Sequence, residues 1–247
     1  MTAVANDVLP ELAASLDRAK LAERFRTHRR IHIPEVLSRR AAERLYRCLV
    51  QETKWSVTLN NGKDFLDIDN CSVDERMKLA LQAWQRAQND FQYLFDNHRL
   101  SRNGEPYPDP AHYFARVVEF FNSPALLGFV REVTGVQEIV WADAQATLYR
   151  PGDFLTLHDD ETGGHKRLIA YVLNLTPIWR PDWGGALNFL GPTGHVEEGY
   201  VPTFNALNLF RVPAKHFVSA VTPYGGMRYS VTAWFHARLF SRRPPVL

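Results

Sequence analysis

Cysteine is scarce in this chain: there are two, Cys48 and Cys71, in 247 residues. Two thiols build no disulfide framework, and they make a reducing cytoplasm the expected location. Net charge is scarce too. Lys and Arg number 29 against 27 Asp and Glu, a formal +2, so no nucleic-acid partner is expected. The short basic runs RTHRR (26–30) and SRR (38–40) read as solvated helix faces. No stretch approaches the ~18 apolar residues of a membrane span, so no membrane partner is expected either. The opening MTAVANDVLPELAASLDRAK is interrupted by Asp7, Glu11 and Asp17 and has no apolar run of signal-peptide length. Repeats, low-complexity tracts and linkers are also missing, so residues 1–247 are expected to form one domain.

Apolar residues, by contrast, are plentiful at 45%, with 12% aromatics, enough for a substantial core. Residues 1–135 are expected to be mostly helical support and loops. LSRRAAERLYRCLVQET has Ser38 as N-cap and apolar Ala42, Leu45, Cys48 and Leu49 at helical spacing. ERMKLALQAWQRAQNDFQYLF repeats the pattern with Met77, Leu81, Trp84 and Phe91. In NSPALLGFVREVTG, Ser123 caps, Pro124 takes the first turn and Gly135 stops the helix. The polar stretches 57–70 and 100–112 are expected to be surface loops or flaps over a site.

Residues 136–240 have a different texture. Short apolar runs (EIVWADAQATLYR, DFLTLHD, RLIAYVLNLT, GALNFLG, ALNLFRV, HFVSAVT, RYSVTAWFHA) are separated by turn signals such as RPGD, RPDWGG, GPTG and PYGG. About eight short strands at close spacing predict an antiparallel jelly roll. The fold class is therefore α+β, a double-stranded β-helix core braced by N-terminal helices.

The segment FLTLHDDETGGH (154–165) holds His158, Asp159, Asp160, Glu161 and His165. On a strand, residues two apart share a face, so His158 and Asp160 converge and Asp159 points away. Alone, a His-x-Asp is better read as a polar pair at a strand end, because so short a motif is common by chance. His216, opening KHFVSAV, would supply a third ligand, and two His with one carboxylate is the set used by non-haem Fe(II) oxygenases; alone, it is a rim or core histidine. In RYSVTAWF, alternation puts Arg228, Ser230, Thr232 and Trp234 on one face and an apolar set on the other. An inward Arg228 would need an anionic partner such as a carboxylate. An outward one would be solvated.

The ordered phrases YRPGDFLTLHDD, RLIAYVLNLTPIW, WGGALNF, NALNLFRVPAKHFVSAV and RYSVTAWF resemble the 2-oxoglutarate and Fe(II)-dependent dioxygenases, in particular the prolyl hydroxylase branch. Within it, WGGALNF and FNALNLFRVPAKHFVSAV look closest to hydroxylases that modify a proline in a ribosomal protein. The resemblance implies that His158, Asp160 and His216 ligate Fe(II) and that Arg228 pairs with the distal carboxylate of 2-oxoglutarate. It implies that Tyr149 and Thr232 line the cosubstrate pocket, with Trp234 behind it. Asn174 departs from the branch: it stands where many members have a tyrosine on the distal carboxylate, and it is shorter. The implied reaction uses O2, with ascorbate as a candidate accessory reductant, to hydroxylate an unactivated C–H bond. A prolyl residue in a protein or peptide is the first substrate expected; a free amino acid or metabolite is the alternative, and a non-catalytic jelly-roll module the third. The retained Asp160 disfavours halogenation, because related halogenases lack that carboxylate. Glu161 and His165 are expected in the loop over the mouth, and His195 and His236 match no functional position.

Overall fold

A computed structural model describes residues 8–61, 65–101, 103–161 and 167–237. Among the described residues there are five α-helices: α1 (Arg18–His28), α2 (Arg39–Gln51), α3 (Val73–Arg86), α4 (Tyr113–Phe121) and α5 (Pro124–Thr134). Four strands lie among them: β1 (Arg30–Ile33), β2 (Ser56–Asn60), β3 (Phe65–Ile68) and β4 (Tyr93–Ser101). Nine follow: β5 (Ile139–Ala142), β6 (Ala144–Tyr149), β7 (Phe154–His158), β8 (Arg167–Asn174), β9 (Leu187–Leu190), β10 (Val196–Tyr200), β11 (Ala206–Arg211), β12 (His216–Val218) and β13 (Arg228–Ala237). No helix among the described residues is long and apolar enough to cross a membrane.

The strands make one antiparallel sheet in the order β1-β11-β8-β13-β6-β4-β7-β12-β9-β10, with β2, β3 and β5 off the path. It curls into a nearly closed, barrel-like jelly roll. Alternation divides its two faces. Ile169, Tyr171 and Leu173 of β8 and Val231, Ala233 and Phe235 of β13 join the main core with residues of α1, α2, α4 and α5. Ala170 and Val172 turn the other way, into an interior shared with Tyr149, Leu187, Phe189, Phe210 and Val218. The helices thus cover one side of a sheet whose other side faces this second cluster.

Local capping explains where helices begin and stop. The Ser38 side chain accepts from the Ala41 amide, Ser72 and Glu75 form a reciprocal capping box, and Ser123 accepts from Leu126. Gly135 ends α5 at φ 71, a left-handed value that glycine adopts at no steric cost.

Two expectations need revision. The N-terminal part is not helix and loop alone: β4 pairs with both β6 and β7, and the 57–70 stretch contains the β2–β3 hairpin. The helical pattern stops at Arg86, and Tyr93 onward is strand. The apolar stripe of α3 is also turned outward. Met77, Leu81 and Trp84 are exposed, whereas Ala80 and Ala83 pack on Val57, Leu59, Leu94 and Phe154. The reason is Arg76, one turn before Ala80. It pairs with buried Asp96 and, at 2.7 Å, with buried Asp153. Arg150 also holds Asp96, at 2.6 Å, but Asp153 has no other cation among the described residues, and leaving it buried and unpaired would cost more than an exposed apolar stripe, so the pair fixes the rotation of the helix.

Candidate metal centre and anion pocket

His216 on β12 lies directly opposite His158 on β7. The next pair is Val218 with Leu155, so β7 spends three residues where β12 spends two. That bulge lets Leu155 and His158 both face the interior, while Phe154 packs outward under α3. Asp160 lies past the end of β7 at φ 64. It shares a side with His158 through this left-handed turn, not through the strand alternation expected from sequence. Asp159 accepts a hydrogen bond from the Glu161 amide at 3.1 Å, away from the cluster. Glu161 is exposed, and His165 lies outside the described residues.

Both imidazoles are oriented by backbone. Nδ1 of His158 is 2.9 Å from the Thr156 carbonyl, and Nδ1 of His216 is 2.7 Å from the Ala214 carbonyl. A carbonyl only accepts, so each Nδ1 carries the proton and each Nε2 presents a lone pair. Those Nε2 atoms stand 3.4 Å and 3.6 Å from the two oxygens of Asp160. The ligand atoms of all three residues lie within 4.8 Å of one another. Burial works to raise the Asp160 pKa, but its interactions with His158 and His216 outweigh it and hold the group below its ordinary value. Burial lowers the pKa of His216, favouring the neutral, ligating form. Three lone-pair donors facing one another across proton-free gaps suit a divalent cation of Fe(II) type.

Arg228 opens β13 opposite Tyr149 of β6 and is 2% exposed. Its Nη2 donates to Asn174 Oδ1 at 3.3 Å, and its guanidinium lies 5.0 Å from the Tyr149 ring centroid. Tyr149 is itself stacked on Phe95 at 4.9 Å. Among the described residues, Arg228 Nε and Nη1 and Asn174 Nδ2 find no hydrogen-bond partner although buried. Burial lowers the Arg228 pKa, and no carboxylate among the described residues pairs with it. A fully desolvated cation with two unsatisfied donor groups, beside a third on Asn174, calls for an anion with oxygen acceptors. A dicarboxylate meets that demand, so the residues fit 2-oxoglutarate. Tyr149 stands between the two parts of the site: after burial, the charges it feels are those of Arg228, Asp153 and Asp160.

Thr232 donates its hydroxyl to the Tyr171 carbonyl at 2.7 Å, so its proton is committed to backbone. Trp234 packs at the interior face, with the Arg167 guanidinium carbon 3.5 Å from its ring centroid. Sequence reasoning passed over Arg167, and also Phe91, whose ring centroid is 5.4 Å from that of His158. No motif marks Phe91, since it precedes the strand that carries it to the site. His195 is exposed, and buried His236 pairs with Asp143 at 3.0 Å and stacks on Trp141.

A second trio of potential ligands, Cys48, Glu52 and His112, lies elsewhere. It does not suit a metal. Arg44 holds both Glu52 oxygens, at 2.8 and 3.2 Å. Burial, followed by the Glu52 charge, pushes the Cys48 thiol up to about 12. His112 Nδ1 accepts the Phe114 amide, which leaves the proton on Nε2.

Residues 144–236 match the family model described as the 2OG-Fe(II) oxygenase superfamily. Among curated proteins, the chain is 31% identical to prolyl 3-hydroxylase OGFOD1 of Mus musculus over 123 residues, 47% of this chain and 22% of that protein. It is 27% identical to prolyl 3-hydroxylase sudestada1 of Drosophila melanogaster over 121 residues, 44% of this chain and 22% of that one. The chain thus corresponds to about a fifth of the length of either relative. A 2OG-Fe(II) oxygenase family oxidoreductase from Burkholderia pseudomallei shares the fold at TM-score 0.62 and 14% identity, over 91% of this chain and 92% of that one. A prolyl-4-hydroxylase from Pseudomonas putida shares it at TM-score 0.55 and 20% identity, over 95% and 97%.

Proposed function

We propose that this protein is an Fe(II)- and 2-oxoglutarate-dependent dioxygenase that hydroxylates a prolyl residue in a protein. The observation that carries the reading is the pairing, in one barrel interior, of a proton-free His158–Asp160–His216 set with a buried Arg228 that has no carboxylate of its own. His158, Asp160 and His216 would hold Fe(II). Arg228 Nε and Nη1 with Asn174 Nδ2 would hold the distal carboxylate of 2-oxoglutarate. Held there, Fe(II) and 2-oxoglutarate would supply the oxidation of a substrate C–H bond by O2, with succinate and CO2 as co-products. The chain's own part is placement. Thr156 and Ala214 carbonyls fix the imidazole tautomers, which spares the metal competition from a proton on Nε2. Tyr149, Phe95, Phe189 and Phe210 wall the interior and exclude water from the oxidant. The prolyl substrate rests on likeness to the two curated prolyl 3-hydroxylases. Ascorbate would serve as accessory reductant, and the two unpaired cysteines suit a cytoplasmic location.

The test is succinate release by Fe(II)-loaded protein with 2-oxoglutarate and air, supplied with either the protein fraction of a lysate or its small-molecule filtrate. Stimulation by the protein fraction, with oxidised proline found by mass spectrometry, is expected. Stimulation by the filtrate alone would replace the prolyl reading with a metabolite hydroxylase.

A further inference from the structure

Asp160 is the one member of the trio held by neither a strand nor its own side-chain hydrogen bonds to backbone. It sits beyond β7 at φ 64, a left-handed conformation that aspartate tolerates but does not favour. Something must hold it there for its carboxylate to bridge the two imidazoles. The backbone carbonyl of Asp160 accepts a hydrogen bond from Arg167 Nη1 at 3.2 Å. The same guanidinium lies flat against the interior through Trp234, 3.5 Å from the ring centroid. Arg167 opens β8 and faces His236 of β13 in the ladder, so its backbone is fixed by the sheet. It makes no ion pair with a side chain among the described residues. Half-buried arginines usually have a carboxylate; this one spends its fork on a carbonyl and a ring.

We infer that Arg167 is the positioning residue of the metal centre: clamped on Trp234, it holds the left-handed turn that aims Asp160 between His158 and His216. The inference rests on the metal reading of that trio. Arg167 is not a catalytic residue, since it reaches the metal only through the Asp160 backbone. Its charge alone would act the other way, because a cation beside the site repels a divalent ion. Geometry and charge therefore make opposite predictions, which makes the role testable.

The experiment is Mn(II) binding to the full chain without oxygen chemistry, read from the loss of the free-ion electron paramagnetic resonance signal. Wild type, Arg167→Met, Arg167→Lys and His158→Ala would be compared, with circular dichroism and the melting temperature of each metal-free protein measured alongside. Both Arg167 variants are expected to bind Mn(II) about tenfold more weakly or worse, at unchanged melting temperature, as for loss of a group that orients a ligand. The lysine keeps the charge but cannot reproduce the flat stack and fork, so it is not expected to rescue. Unchanged affinity in both variants would overturn the inference. So would tighter binding by Arg167→Met with no change in Arg167→Lys, which would leave charge as the only effect. Equal Mn(II) binding by wild type and His158→Ala would remove the metal reading itself, and this inference with it.

Discussion

Arg228 and Asn174 sit in regular stretches of antiparallel ladder, whereas His158 and Asp160 sit where a ladder has been broken. Arg228 faces Tyr149 and Ser230 faces Asn174 in regular register. At the other part of the site, a bulge in β7 and a left-handed residue after it bring the ligands inward. The contrast follows from what each part must hold. An anion pocket needs depth and fixed donors, and a ladder buries both at little cost in strain. A metal centre needs three donors of different reach to converge on one point, and a period of two does not deliver that. The pocket should therefore tolerate substitution by losing only its own ligand, whereas the centre depends on backbone set by its neighbours.

Removing a ligand should have the largest effect. His158→Ala and Asp160→Ala should each lower turnover by more than about a hundredfold, beyond the usual cost of losing a group behind a ligand. Steady-state succinate formation checks this, with melting temperature as the fold control. Arg228→Ala comes next. Loss of charge-assisted hydrogen bonds worth about 1.5–3 kcal/mol each should raise the KM for 2-oxoglutarate by about 10- to 100-fold while leaving Mn(II) affinity intact. If Mn(II) binding falls as far as 2-oxoglutarate binding, the two parts are not separable in the way described. Asn174→Ala should cost less, about fivefold in KM, as for one ordinary hydrogen bond. The smallest effect is expected from acid. Burial holds the His216 pKa below 6.5, so protons compete for that ligand only as pH falls through its lowered value. Mn(II) affinity should hold at pH 7 and decline only on acidification below the ordinary histidine range. Decline already between pH 8 and 7 would mean that His216 is not among the ligands.

The same contrast governs what could be read from sequence. The face of β13 carrying Arg228 followed from alternation in RYSVTAWF, because nothing interrupts that ladder. The convergence of His158 with Asp160 was anticipated for a reason the structure does not use: the strand ends at His158, and a turn does the rest. The jelly roll was legible because turn residues punctuate its strands. β4 was not, because DFQYLF continues the helical spacing of the preceding segment and its strand partners lie far along the chain. The outward stripe of α3 was hidden for a similar reason. Arg76 looks like one more surface charge until Asp96 and Asp153 are seen buried beneath it. Arg167 carried no signal, since its partner is a backbone carbonyl.

The central claim is that the His158–Asp160–His216 set and the Arg228 pocket hold one dicarboxylate between them. The most direct measurement is calorimetric titration of 2-oxoglutarate, without oxygen, into wild type, Arg228→Ala and His158→Ala, each with and without Mn(II). The account predicts that tight binding needs both metal and Arg228, with either loss weakening it by at least about tenfold. Binding of equal strength in metal-loaded wild type and Arg228→Ala would contradict it.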